Sequence, residues 1–70
     1  MKHAIFDYSS NAILAICESA DLAHSMAEVI SYKRNGNAIY GLFKLGTLDL
    51  DSLLSSDMGR KAWNEWHNKR

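Results

Sequence analysis

The stretch "SADLAHSMAEVISYKRNG", residues 19–36, admits two readings, and the choice between them sets the fold. On a helical wheel Ala20, Leu22, Ala23, Met26, Ala27, Val29 and Ile30 fall within one arc of about 180°. Asp21, His24, Ser25, Glu28 and Ser31 take the other side. Ser19 suits the N-cap, and Asn35-Gly36 suits a left-handed stop at the C-terminal end. The rival reading makes Asn35-Gly36 a type I′ turn between two strands, "VISYK" and "NAIYG". The helical pattern holds over about ten residues and carries a cap at each end, so the segment is predicted to be a helix.

Working outward, "AIFDY" (4–8) and "AILAICE" (12–18) are rich in strand-favouring residues, with "SSN" between them as a hairpin loop. Downstream, "AIYGLFKL" (38–45) reads as a third strand. The remainder, "TLDLDSLLSSDMGRKAWNEWHNKR", resembles one long helix until it is drawn on the wheel. Leu50, Leu53 and Leu54 then point about 150° away from Met58, Ala62, Trp63 and Trp66. A single helix would need two opposed apolar faces. A break at Ser55-Ser56-Asp57 resolves this, with Ser56 or Asp57 capping the final helix.

The predicted fold is α+β: a small antiparallel sheet of about three strands, in the order β-β-α-β-α, packed with two helices as a single small domain over residues 1–70. "AILAIC" does not alternate apolar and polar residues, and "AIYGLF" barely does. Both strands therefore want cover on both faces, and the second and third strands are expected to be the most buried. Either one helix lies on each face, or one face stays bare as an interface.

With 47% hydrophobic and 23% charged residues the chain is globular, yet 70 residues bury only a modest core. There is a single cysteine, Cys17, so neither an intramolecular disulfide nor a CxxC zinc site is available to reinforce it. No membrane span or export signal is read in the N-terminal stretch, and a cytoplasmic setting is expected. Net charge is zero, but the charges alternate in blocks, −3 over residues 1–30, +3 over 31–46, −3 over 47–58 and +3 over 59–70. Helix dipoles account for most of this pattern: Asp21 and Asp57 open the two longer helices, while Lys33, Arg34, Lys69 and Arg70 close them.

Catalytic patterns are missing. His3, His24 and His67 form no HxH or HxxxH pair. Asp21, His24 and Glu28 share a helical face, which is also where a solvated helix puts its polar residues, so no metal is expected there. "DLDSLLSSD" has leucine where a calcium loop requires glycine. Cys17 has no cation near it in sequence to lower its pKa, and "GLFKLG" lacks a phosphate-loop signature. A non-enzyme is expected, with no catalytic residue, cofactor, metal or small-molecule substrate.

The C-terminal "AWNEWHNKR" is the sharpest functional signal. Tryptophan, tyrosine and arginine are the usual anchors of protein interfaces. Trp66 lies near the centre of the apolar arc and is expected in the core, whereas Trp63 lies at its margin, with His67 one turn on. Trp63, His67, Arg70, Arg60 and Tyr40 form the expected partner-binding set. The expected function is a protein–protein interaction module that self-associates, binds and inhibits a larger partner, or does both. A short chain without catalytic motifs is the kind phages and mobile elements use to block a host protein. The alternative is a nucleic-acid accessory protein using the basic, tryptophan-bearing C-terminal helix, which zero net charge makes the weaker choice.

Overall fold

The computed structural model describes residues 2–40 and 44–68. Its elements are β1 (His3–Asp7), β2 (Ala12–Cys17), α1 (Ala20–Asn35), β3 (Leu45–Asp49), α2 (Leu50–Leu54) and α3 (Asp57–Asn68). The strands form an antiparallel sheet in the order β2-β1-β3, so the fold is α+β with three strands, as the sequence predicts. The short helix α2 occupies the turn predicted between the third strand and the last helix.

Helices cover both faces of the sheet. On one face Ala4, Phe6 and Ile13 pack with Leu53 of α2 and Ala62 of α3, and Trp63 and Trp66 close over them. On the other, Ile5 and Cys17 pack against Ala23 and Ala27 of α1. The most buried strand is the central one, β1, whose last four residues are all buried, and not the second and third strands as expected. An edge strand such as β2 has one neighbour and one open side, so apolar composition alone does not make it central.

The unbroken apolar run in β2 has a second cause besides double cover. The β1–β2 register shifts between Ile5 and Phe6: Ile5 pairs with Ala15 and Phe6 with Ile13. Leu14 is therefore the extra residue of a β-bulge, which puts it on the same face as Ala15. Ile13 and Ile16 accordingly face α2 and α3, while Leu14, Ala15 and Cys17 face α1.

The third strand lies downstream of its predicted position. Ala38 and Ile39 are exposed and outside any strand, residues 41–43 lie outside the described residues, and the pairing runs from Leu45↔Asp7 to Asp49↔His3. "LGTLD" is a poor strand former by composition, and pairing with β1 overrides that preference.

Local chemistry fixes the helix ends. Ser19 caps α1 by accepting a hydrogen bond from the Leu22 N–H, and Gly36, at φ 70°, closes it by donating to the Tyr32 carbonyl. Asp49 caps α2 by accepting from the Ser52 N–H at 2.7 Å, which is the main reason its pKa lies below the ordinary carboxylate value. Ser56 caps α3, accepting from the Gly59 N–H at 3.0 Å. A Cβ at Gly59 would run into the Leu53 carbonyl oxygen and lie 2.8 Å from its carbon. The α2–α3 corner therefore needs glycine at this position.

Candidate functional site

Two surface features stand out, one on each side of the sheet. The first is a cleft of about 480 Å³ between the C-terminal half of α3 and one end of the sheet. Lys2, Ile16, Glu18, Leu50, Trp63, Trp66 and His67 line it. It forms because α3 lies over β2, so Trp63 and Trp66 bridge from the helix to Ile16 and Leu50. The Trp63 and His67 rings meet edge to face with centroids 4.3 Å apart, as residues four apart on a helix can. Lys2 and Glu18 bring opposite charges to the walls.

Of the expected partner-binding set, Trp63 and His67 come together at this cleft. Arg60 does not line it. Its guanidinium is turned back to the Asp57 carboxylate and, at 3.0 Å, to the Leu54 carbonyl, where it satisfies the C-terminal end of α2. Tyr40 lies on the opposite face, packed on the α1 cluster, with its hydroxyl hydrogen-bonded to His24 Nδ1. Arg70 lies outside the described residues. The contrast expected between the tryptophans is also smaller than the wheel implies, because Trp63 and Trp66 are both partly buried. α3 meets the core through Gly59 and Ala62, and both indoles pack against the edge of that core.

The second feature is the outer face of α1. Ala23, Ala27 and Ser31, one turn apart along the helix, are fully buried. These small side chains let α1 lie close on the sheet, and the Ser31 hydroxyl donates to the Asn37 carbonyl at 2.7 Å. The seating turns the larger apolar residues outward: Leu22 is 56% exposed, Met26 45%, Val29 53% and Tyr32 65%. Leu22, Met26 and Val29 were expected to face inward with the alanines, and they do not. An apolar arc of about 180° is wider than a sheet can cover, and small residues beat large ones for the close contact.

At the far end of α1 the Arg34 guanidinium donates to the Asp7 carboxylate at 3.2 Å. Burial pushes the Asp7 pKa up, but hydrogen bonds from the Ser9 N–H, Arg34 and Ser10 outweigh it and hold the group below its ordinary value. Among the described residues no three histidine, cysteine or acidic side chains gather as metal ligands, and no helix is long and apolar enough to cross a membrane.

Compared with known proteins, the chain matches no protein-family model, no curated protein and no solved structure.

Proposed function

We propose that this chain is a non-enzymatic protein–protein interaction module, able to self-associate and to bind a larger partner. The observation that carries this reading is the outer face of α1, where Leu22, Met26 and Val29 stand about half exposed in one row. Single exposed apolar residues are ordinary, whereas a contiguous row of them marks a contact surface. The Trp63–His67 cleft on the other side of the sheet offers a second contact point, suited to an anchoring side chain of a larger protein. Binding there would act by occupying the partner's surface, which is the inhibitory mode.

The perturbed carboxylates support a non-catalytic reading, because structure uses both. Asp7 accepts from Ser9 and Arg34, and Asp49 caps α2. A cytoplasmic setting belongs to the same proposal, supported by Cys17, which is buried and unpaired. Nucleic acid is the less favoured partner, since Arg34 and Arg60 are engaged within the chain.

The test compares the wild type with Leu22→Ser/Val29→Ser by sedimentation and by cross-linked capture from cells. The expected result is that the wild type is held in a complex, with itself or with a partner, and that the polar variant is released while melting normally. A wild-type protein that sediments as a monomer and captures nothing the variant loses would refute the proposal.

A further inference from the structure

We infer that the outer face of α1 pairs with the same face of a second copy of this chain, with the two helices antiparallel. This inference rests on the interaction-module reading and names the occupant of its main surface.

Leu22, Met26, Val29 and Lys33 follow one another at spacings of four, three and four, the repeat of a helix–helix seam, and span about 60° of the wheel. Asp21 and Glu28 stand on the same flank of the row, about 20° apart on the wheel, beside the seam rather than in it. The three apolar members are about half exposed in the free chain. The charges then choose the orientation. Asp21 sits in the first turn of α1, and Lys33 and Arg34 sit in the last. Arg34 is engaged by Asp7, which leaves Lys33 to act across the seam.

A parallel pair would set Lys33 against Lys33 and align the two helix dipoles. An antiparallel pair sets Met26 against Val29 of the second copy. It also packs Leu22 on the aliphatic stem of Lys33 and brings the ammonium of Lys33 toward Asp21 of the second copy, at both ends at once. This is the reciprocity a two-fold contact requires. One helix pair buries less than the roughly 800 Å² per partner of a standard interface, so the dimer is expected to be weak and concentration-dependent. The Trp63–His67 cleft, on the other side of the sheet, stays open in this arrangement.

Sedimentation equilibrium over a concentration series should show a monomer–dimer equilibrium for the wild type. Val29→Glu should abolish it while leaving unchanged the melting curve recorded at a dilution where the wild type is monomeric, because that side chain is about half exposed. Mixing Leu22→Cys protein with Lys33→Cys protein under mild oxidation should favour the mixed cross-link over either homodimer. A wild type that remains a monomer at every concentration overturns the self-pairing but leaves heterologous binding to be judged by capture. A dimer that survives Val29→Glu overturns it too, while supporting self-association through another face. Preferential cross-linking of Leu22→Cys with itself would refute the antiparallel arrangement.

Discussion

Replacing Gly59 with alanine adds one methyl group at the α2–α3 corner, and two effects then compete. Alanine is the better helix former by about 1 kcal/mol, so propensity alone predicts stabilisation. The added Cβ, however, would overlap the Leu53 carbonyl oxygen, a backbone atom that cannot swing aside as a side chain would. Relief requires α3 to back away from α2, which loosens the packing of Leu53 and Ala62 and pulls the Gly59 N–H away from Ser56 Oγ. Overpacking costs about 1–3 kcal/mol, and a rigid backbone clash belongs at the upper end. Loss of the serine cap adds about 1 kcal/mol. Set against the propensity gain, the net loss is about 3 kcal/mol, out of roughly 4–10 kcal/mol for a chain of 70 residues. The melting temperature should fall by on the order of 10–20 °C. Urea unfolding followed by tryptophan fluorescence is the natural assay, since Trp63 and Trp66 both lie on α3. A variant as stable as the wild type would show that the α2–α3 contact is slack and that the steric argument fails.

Asp7 should make stability depend on acid. A carboxylate whose folded pKa is depressed contributes fully above its unfolded pKa, near 3.9, and loses that contribution as pH falls through the lower folded value. Urea midpoints should therefore drop below about pH 4, and Asp7→Asn should flatten that acid limb. Arg34→Ala should cost no more than about 1 kcal/mol at neutral pH because the arginine is half exposed, and a larger loss in urea melts would contradict this. Ser31→Ala should cost about 1 kcal/mol in the same assay, since it leaves the Asn37 carbonyl without its donor. Gly36→Ala, at φ 70°, should cost about 1 kcal/mol, and an unchanged melt would mean that the end of α1 frays freely.

The parts of the fold readable from sequence are those fixed by local chemistry. The α1 ends follow from Ser19, whose hydroxyl accepts from the Leu22 N–H, and from Gly36, whose lack of a Cβ permits the left-handed turn that brings its own N–H to the Tyr32 carbonyl, wherever the helix packs. The α2–α3 break follows from two apolar directions that no straight helix can serve. The third strand was not readable, because what makes "LGTLD" a strand is its register on β1, and that pairing bridges a gap of about forty residues that leaves no local mark. The bulge at Leu14 was equally hidden. An apolar run looks the same whether two neighbouring side chains share a face or alternate.

The candidate site divides along the same line. Trp63 and His67 were legible because they lie one turn apart on a single helix, so helical geometry alone joins them. Arg60 and Tyr40 do not join them because their neighbours come from elsewhere in the chain: the Leu54 carbonyl for one, His24 on the opposite face for the other. The α1 surface was missed for a different reason, although its signal was present. Ala23, Ala27 and Ser31 repeat every four residues, and so a flat row of small side chains runs beside a row of large ones. Counting apolar residues merges the two rows into one arc. Weighing them by size separates them, because a helix lying on a sheet gains more contact through small residues that allow close approach than through large ones that hold it off. Large apolar residues displaced in this way keep their unfavourable exposure to water, and that exposure is the driving force available to a partner.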